Sequence, residues 1–337
     1  MCRAIVPKKK PAFALPLQLT AGGEWVTLLS VFFRIDPKSA TDWRLSDSVA
    51  FAPLEPPRRM RVIAILAVYN EARVLAASLD NFVRQGVEFY LIDNESTDDT
   101  VSIAERYRGR GLVGIERFPR TEIYEWEKIL RRKEELAQTL DADWFIHADA
   151  DEIRLPPTPD ESLVSALERA DRNHFNAVNF FEFTFTPTRE SPAHEHPRFQ
   201  ETMRHYYPFS PTFPWRMNAW KNQPDRVDLA SSGGHIVHFD GLRASPEMYK
   251  MKHYLYLSVP HAIEKYIERT FAPHEIERGW HGWRPKIAAQ AIDLPSQREL
   301  REYTCDDALD PTEPRTRHHL QDLHEAWEAR ARGEGTA

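Results

Sequence analysis

The 337-residue sequence has few cysteines, no excess of positive charge and no long apolar run. Its two cysteines, Cys2 and Cys305, are too few for a disulfide framework and favour a reducing compartment. The net charge of −7 argues against a general nucleic-acid-binding surface. The longest apolar runs, at residues 62–68 and 25–33, are far shorter than the ~20 residues that a membrane-spanning helix needs. We therefore expect a cytoplasmic protein without a transmembrane anchor or nucleic-acid partner, with peripheral attachment to the inner membrane left open.

Three segments are predicted from composition and periodicity. Residues 1–58 contain one predicted strand, at 26–33, and a lysine-containing stretch too interrupted by proline for a signal peptide, so we expect an N-terminal arm or accessory strands there. A regular pattern covers residues 59–290, which we expect to form the main domain. Residues 291–337 are charged and alanine-rich and predict a C-terminal helical tail.

Strands alternate with helices in the first half of the main domain. The strands are predicted at residues 62–68, 89–92, 112–115 and 144–147, and the helices at 71–85, from the cap residue Ser96 onwards, and at 122–140. This alternation predicts an α/β fold with a mostly parallel central sheet flanked by helices. Such sheets bind ligands beyond the carboxyl ends of their strands.

Polar side chains follow three of these strands where each one ends. Asn70 follows the first strand, Asp93 ends the second, and Asp149 and Asp151 follow the apolar fourth strand. Residues two apart in an extended segment point to the same side, and paired carboxylates suit a divalent cation. For a lone Asp-x-Asp pair, a solvated acidic turn is the alternative.

Three motifs together resemble the signatures of nucleotide-sugar glycosyltransferases with the GT-A fold, in particular the family 2-like group. They are AVYNE at 67–71, LIDNESTDDT at 91–100 and HADADE at 147–152, and a looser resemblance continues through GGHIVHF at 233–239 and KHY at 252–254. Each motif alone is weak, but three in this order at strand ends form a specific constellation. The resemblance implies a Rossmann-like nucleotide-binding half and an acceptor-binding half.

The resemblance also implies substrates, a metal and site residues. The expected donor is a nucleoside-diphosphate sugar, with a UDP-sugar favoured, and the expected acceptor is a saccharide, a lipid-linked or a protein hydroxyl. The nucleotide is expected to contact Ala67, Tyr69, Asn70, Glu71, Asp93, Asp149 and Lys252. Mn²⁺ or Mg²⁺ is expected at Asp149 and Asp151. Apart from the resemblance, the aromatic residues, which can stack on sugar rings, predict a sugar or acceptor pocket at Glu152, Trp215, Trp280, His281 and Trp283, and hydrophobic covering of the sheet edge is the alternative for Trp215.

A histidine is the expected third metal ligand. If the segment between His235 and His238 is extended, the two side chains point to opposite sides, so only one of them faces the metal. His238 is preferred because it follows two apolar residues that suit a strand, whereas His235 belongs to a glycine turn.

Inverting transfer needs a carboxylate base for the acceptor hydroxyl. The Glu-Asp pair common in family 2 is missing at its expected place. Residues 177–186 alternate aromatic and polar side chains and predict a strand with Glu182 on its polar face, which makes Glu182 the first choice for the base. Asp240, Glu190 and Glu195 are further candidates, and a structural acid is the alternative for Glu182.

The sequence predicts one more helix, and two alternative functions are also considered. Ser245 and Pro246 predict a helix start, and this helix would carry Lys252 towards the diphosphate. A nucleotidyltransferase would use a similar sheet but usually has a glycine-rich basic loop after the first strand, which residues 70–73 do not provide. A non-catalytic carbohydrate-binding protein would have no need of Asp149 and Asp151.

Overall fold

The computed structural model describes residues 58–282 and 284–332. These residues belong to one compact unit, Pro57–Ala337. The predicted arm or accessory strands, including the strand at 26–33, lie outside the described residues.

The first half of this unit is a parallel sheet with helices between its strands. The strand order β4-β1-β2-β3 is parallel throughout. The elements are β1 Val62–Val68, α1 Leu75–Gln85, β2 Glu88–Asp93, α2 Thr100–Glu105, β3 Leu112–Arg117, α3 Trp126–Thr139 and β4 Trp144–Ala148. The predicted α/β fold with a parallel central sheet is confirmed. The carboxyl ends of β1, β2 and β4 consequently lie at one edge.

The second half extends this sheet with mostly antiparallel strands. Its elements are β5 Glu152–Leu155, α4 Leu163–Arg172, β6 Ala177–Phe185, α5 Phe199–Thr202, β7 His205–Phe209, β8 Arg216–Lys221, β9 Tyr249–Tyr254, α6 Val259–Tyr266, α7 Pro273–Glu277, β10 Arg301–Glu302 and α8 His319–Ala331. β8 pairs with β4, and the order continues through β6 and β7 to β10, while β9 lies between β5 and β6. β10 comes from the predicted C-terminal tail, so that segment contributes a strand as well as a helix.

Alternating side chains of β1 enter two apolar cores on the two faces of the sheet. Val62 and Leu66 belong to the core that contains buried residues of α1, and Ile63 and Ile65 belong to the core that contains buried residues of α3. All four side chains are buried. A strand that is buried on both faces has a continuous apolar sequence. The apolar run at residues 62–68 therefore predicts this strand correctly.

The first helix begins later than predicted and ends where predicted. Residues 71–74 form a turn in which the backbone N–H of Val74 donates to the carbonyl of Glu71. α1 ends at Gly86, whose φ of 77° is left-handed and whose N–H donates to the carbonyls of Phe82 and Val83. Glycine adopts this conformation without a steric penalty from Cβ, which explains the stop.

The prediction that Ser96 caps the second helix was wrong. α2 begins at Thr100, after Asp99. Ser96 Oγ instead accepts the backbone N–H of Asn70 at 3.1 Å. Ser96 therefore holds the neighbouring loop, and it is Asp98 that accepts the backbone N–H of Thr100 at the start of α2, at 2.9 Å.

The helix predicted after Ser245 and Pro246 was also wrong, because β9 occupies residues 249–254. Ser245 Oγ accepts the N–H of Glu247, which makes only a short turn. β9 pairs with β5 on one side and β6 on the other, and Tyr249 and Met251 are fully buried. Pairing and burial on both sides outweigh the local helix signal.

β6 coincides with the strand predicted at residues 177–186, but neither of its faces is exposed. All nine of its residues are buried. Phe183 and Phe185 belong to an apolar core, whereas Glu182 and Thr184 lie on the other face and hydrogen-bond to each other at 3.0 Å. The alternation predicts which residues share a face but not that both faces are covered.

The helices of the described residues are short. α3 has 14 residues and α8 has 13. No helix within residues 58–282 and 284–332 is long and apolar enough to cross a membrane.

Acidification is expected to destabilise the protein through His319 at the start of α8. His319 is buried, its Nε2 lies 3.0 Å from the Tyr256 hydroxyl, and burial and Arg315 lower its pKa to about 3. The unfolded chain binds this proton below about pH 6.5, so the free energy of unfolding should fall by about 2 kcal/mol between pH 7 and pH 5 through this residue. Urea unfolding at both pH values should show a smaller loss in His319→Gln. If the free energy of unfolding fell equally in the parent and in His319→Gln, His319 would not be the cause of this pH dependence.

Candidate functional site

A cleft opens at the carboxyl ends of β1 and β4, where the sequence motifs meet. It contains charged groups of both signs beside aromatic rings. The acidic residues are Glu71, Asp149 and Asp151, the cationic ones are Arg216, Lys265, Arg269 and Arg284, the histidines are His147, His235, His253 and His281, and the aromatic ones are Tyr69, Tyr124, Trp126, Tyr266, Phe271 and Trp280. Ala67, Val68, Asn94 and Ala150 also line it.

Asn70 fixes the loop that follows β1. Its φ is 55°, a left-handed conformation that asparagine tolerates better than most residues. Its side-chain Oδ1 accepts the backbone N–H of Thr97 at 2.8 Å, and the N–H of Glu71 donates to Thr100 Oγ1 at 2.8 Å. The two predicted nucleotide motifs therefore hold each other, and Tyr69 and Glu71, on either side of Asn70, line the cleft.

Asp93 ends β2 as a buried acid that organises the next turn. Its Oδ1 accepts the backbone N–H of Ser96 at 3.1 Å, and the residue is 7% exposed. Asn94 lines the cleft beside it, with its amide donating to the Phe118 carbonyl at 3.1 Å. Asp93 is therefore at the edge where it was expected, directly behind the cleft wall.

Asp149 faces the cleft, whereas Glu152 lies behind it. The Asp149 side chain is 36% exposed, and its Oδ1 is 4.0 Å from Lys133 Nζ. Burial and Glu152 raise the pKa of Asp149. Glu152 accepts the Asp149 N–H at 3.1 Å and pairs with Arg154 at 2.6 Å while only 1% exposed. Glu152 therefore holds the turn and does not line the predicted sugar pocket.

Asp151 is bound between two cationic side chains. Its Oδ2 accepts from Lys265 Nζ and is 3.4 Å from His253 Nε2. Burial opposes ionisation, but Lys265 and His253 hold the pKa of Asp151 well below its usual value. Burial likewise opposes protonation of His253, yet Asp151 and Glu182 raise its pKa to about 9.

This arrangement does not fit the predicted Mn²⁺ or Mg²⁺. Both ions need several oxygen ligands, and a histidine ligand must be neutral. The Lys265 ammonium already binds Asp151 Oδ2, and His253, whose Nδ1 contacts Glu182, lies 3.4 Å from the same oxygen. In the part of the chain that the structure describes, no group of three His, Cys, Asp or Glu side chains could hold a metal ion.

Glu182 is the centre of a buried network rather than an open base. It is 1% exposed and does not line the cleft. Its carboxylate accepts from Arg216 Nε at 2.9 Å, His253 Nδ1 at 2.7 Å, Trp215 Nε1 at 3.1 Å and Thr184 Oγ1 at 3.0 Å. Burial opposes ionisation, but Arg216 and His253 hold the pKa of Glu182 well below its usual value. Glu182 thus reaches the cleft only through Arg216 and His253.

The late histidines have the opposite placement to the one preferred from the sequence. His235 lines the cleft, with its Nδ1 2.9 Å from Arg216 Nη1. His238 is exposed, and its backbone exchanges hydrogen bonds with Asp228. Asp240, the second candidate base, is also exposed and outside the cleft lining. The segment turns along β8 instead of entering the cleft beyond His235.

Lys252 faces away from the cleft because it lies on a strand. Neighbouring side chains of β9 point to opposite sides, and His253 takes the cleft side. Lys252 Nζ is 2.8 Å from Asp306 Oδ1, and its side chain is 8% exposed. The predicted contact with a diphosphate is therefore absent from this arrangement.

Two of the predicted pocket aromatics line the cleft. They are Trp280 and His281, the latter with Nε2 2.7 Å from Glu275 Oε2. Trp215 lies behind the cleft, stacked on His235 with ring centroids 4.1 Å apart. Trp283 lies outside the described residues.

The cations of the cleft were not found by sequence reasoning. Lys265 belongs to α6, 114 residues from Asp151, and lysines on amphipathic helices usually face solvent. Arg269 lies over the Tyr124 ring with Cζ 4.5 Å from its centroid, and Arg284 lies over Tyr266 at 5.4 Å. No local pattern in the sequence distinguishes these arginines from surface residues.

One family model matches part of the chain. Residues 63–224 match the family model described as Glycosyl transferase family 2. No curated protein matches the chain.

Several solved structures are similar at low identity. S. aureus TarS is 14% identical with a TM-score of 0.39, over 58% of this chain and 37% of that chain. TarS 1–349 in complex with UDP is 12% identical with a TM-score of 0.39, over 58% of this chain and 61% of that chain. Glucosyl-3-phosphoglycerate synthase from Mycobacterium tuberculosis, in complex with Mn²⁺, UDP and phosphoglyceric acid, is 18% identical with a TM-score of 0.25, over 36% and 43% of the two chains. The chain thus spans less than two thirds of each of these proteins.

Proposed function

We propose that this chain, whose residues 63–224 match the Glycosyl transferase family 2 model, is a nucleotide-sugar glycosyltransferase with the GT-A fold. Its cleft is proposed to bind a nucleoside-diphosphate sugar and to transfer the sugar to an acceptor hydroxyl. The observation that carries the proposal is the convergence of Tyr69, Glu71, Asp149 and Asp151 on one cleft at the strand ends. All four lie within the segment that matches the family. Parallel α/β sheets bind their ligands at this edge.

The proposed reaction exchanges one bond at the anomeric carbon for another. The acceptor oxygen bonds to that carbon, and the bond from the carbon to the β-phosphate oxygen breaks, with its electron pair leaving on the nucleoside diphosphate. The acceptor proton passes to a base or to solvent. Because negative charge grows on the leaving diphosphate, fixed cations in the cleft favour the transition state.

Glu182 is proposed to position other groups rather than to act as the base. Its carboxylate is occupied by Arg216 and His253, both of which line the cleft. A fixed Arg216 in turn holds His235 at 2.9 Å. Glu182 thus sets the orientation of side chains that the substrate contacts.

A divalent cation, expected from the Asp-x-Asp spacing, is left out of this proposal. Lys265 and His253 already occupy Asp151, so Asp149 is the one carboxylate of the turn at residues 149–151 that remains open to the cleft, whereas such a cation requires several oxygen ligands. Titration with Mn²⁺ accompanies the binding measurements below and tests this choice.

Trp280, His281 and Tyr124 are proposed to contact the sugar or the acceptor. Their rings line the cleft, and aromatic faces pack well on the apolar faces of sugars. The acceptor classes to be tested are a saccharide, a lipid-linked sugar and a protein, and a UDP-sugar is the first donor to be tested.

Asp93→Asn is expected to weaken nucleotide binding by about 1–3 kcal/mol, the cost of a mispaired buried hydrogen bond. Asparagine keeps an oxygen that can accept the Ser96 N–H, so the turn should survive, while the negative charge through which we propose that Asp93 recognises the base is lost. Calorimetric titration with the bound nucleotide measures the change. Asp98→Asn is the matched control, because Asp98 accepts the backbone N–H groups of Thr100 and Ala72. Equal affinities of Asp93→Asn and the parent would make Asp93 a turn residue only.

A panel of UDP-, GDP- and dTDP-sugars, screened by thermal shift with EDTA and with Mn²⁺, tests the proposed function. A ligand that binds only the folded state raises the apparent melting temperature. We expect one nucleotide class to do so, whereas the free sugars do not. A folded protein that responds to none of the nucleotide sugars under either condition would contradict the proposal.

A further inference from the structure

Lys265 and Arg269 lie beside the carboxylates of both cleft motifs. The Lys265 ammonium binds Asp151 directly, and its side chain is 14% exposed. Lys265 and Arg269 also line a second recess together with Glu71. Burial raises the pKa of Glu71 to about 7, and the charges of Lys265 and Arg269 oppose that rise. Both residues line the cleft. They therefore stand between the end of β1 and the turn after β4, where the two motifs face each other.

Arg269 and Arg284 are held in the cleft by tyrosine rings. Their Cζ atoms lie 4.5 Å and 5.4 Å from the ring centroids of Tyr124 and Tyr266. Both arginines also act electrostatically on both tyrosines, opposing the rise in pKa that burial causes at each hydroxyl. Both arginines and both tyrosines line the same cleft.

Within the described part of the chain, neither of these arginines pairs with an acid. Among residues 58–282 and 284–332, no carboxylate lies within 4.0 Å of the Arg269 or Arg284 guanidinium. Stacking uses the face of a guanidinium and leaves its N–H groups available for two-point binding of phosphate oxygens. Partly buried charges without a counter-charge are costly, so two such cations in one cleft point to an anionic ligand.

We infer that Lys265, Arg269 and Arg284 bind the diphosphate of the donor and supply the positive charge that a divalent cation would otherwise provide. The inference rests on the proposed function, because it names the groups that recognise the charged part of that donor. Lys265 links the diphosphate to Asp151, and the arginines fix its oxygens from the tyrosine wall. Nucleotide binding is then independent of a divalent metal.

Calorimetric titration with UDP, GDP and dTDP, each in EDTA and in Mn²⁺, tests this inference. The nucleoside diphosphate that binds should do so in EDTA with an affinity within about threefold of that in Mn²⁺. Arg269→Gln and Arg284→Gln should each weaken its binding about tenfold or more, as expected for loss of a charge-assisted contact, while binding of the corresponding nucleoside changes less than about threefold. Lys265→Gln should act in the same direction.

Arg110→Gln is the matched control. Arg110 also lies over a tyrosine, with Cζ 5.3 Å from the Tyr107 ring centroid, but it is exposed and does not line the cleft. Its replacement should leave the affinity unchanged. Binding that appears only with Mn²⁺, or unchanged affinity in both cleft arginine variants, would overturn the inference and leave the proposed function standing. A folded protein that binds none of the three nucleoside diphosphates with or without Mn²⁺ would overturn both.

Discussion

Replacing Glu182 with glutamine is expected to lower the free energy of unfolding by about 3–5 kcal/mol, the usual cost of removing one partner from a buried ion pair. The glutamine leaves Arg216 and His253 without the negative charge that both share in the folded protein. Arg216 has a side chain that is only 6% exposed, so water cannot replace the lost partner. Urea unfolding measures the difference. The dependence of the free energy of unfolding on urea concentration should have the same slope in the variant and the parent.

Glu190→Gln provides the control for this prediction. Glu190 is an exposed glutamate that accepts hydrogen bonds from Ser296 Oγ and the Gln297 N–H. Water can replace these contacts, so stability should hardly change. If Glu182→Gln were as stable as Glu190→Gln, the buried network would not be what holds β6, β8 and β9 in their observed arrangement.

Replacing Asp151 with asparagine is expected to slow sugar transfer at least about 100-fold, as does the loss of a preorganised electrostatic group at other active sites. Asp151 holds both Lys265 and His253 at the end of the cleft, and the amide cannot hold two cations in place. The initial rate of nucleoside-diphosphate release, at saturating donor, measures the effect. Circular dichroism of the variant verifies that it is folded.

Asp143→Asn is the matched variant for Asp151→Asn. Asp143 lies at the opposite end of β4, where its Oδ2 accepts the backbone N–H of Arg61 at 2.7 Å. It is outside the cleft lining, so its replacement should leave the rate unchanged. Equal rates in the Asp143 and Asp151 variants would remove Asp151 from the active site.

The parallel half of the fold can be predicted from the sequence because the sequence features that determine it are local. Residues 62–68 form a buried apolar run of strand length, and Gly86 supplies the left-handed residue that ends α1. Each of these signals needs only its neighbours in the chain. The strand ends at Asn70, Asp93 and Asp149 follow from the same pattern, so their meeting at one edge is predictable.

The errors arise where distant segments decide the outcome. Ser245 and Pro246 look like a helix start, but β5 and β6 each offer a backbone ladder to residues 249–254. Once those residues form a strand, His253 takes the cleft side and Lys252 the other side. His235 reaches the cleft instead of His238 because the chain turns along β8, as the bridge between Met217 and Ile236 shows.

The electrostatics of the site are the least predictable part. The spacing of Asp149 and Asp151 predicts a concentration of negative charge at the end of β4, and the structure has it. Lys265, which binds Asp151 directly, lies on α6, 114 residues further along the chain. Only folding brings that lysine to the carboxylate, so the sequence predicts the acids without their partner.

Turnover of a nucleotide sugar tests the central claim most directly. The full chain is incubated with UDP-, GDP- and dTDP-sugars, alone and with saccharide, lipid-linked and protein acceptors, and the nucleoside diphosphate and the sugar product are quantified by mass spectrometry. We predict that one donor class is consumed, in EDTA as well as in Mn²⁺, and that the folded Asp151→Asn variant loses this turnover. A folded parent protein that consumes none of these donors, or an Asp151→Asn variant as active as the parent, would contradict the account.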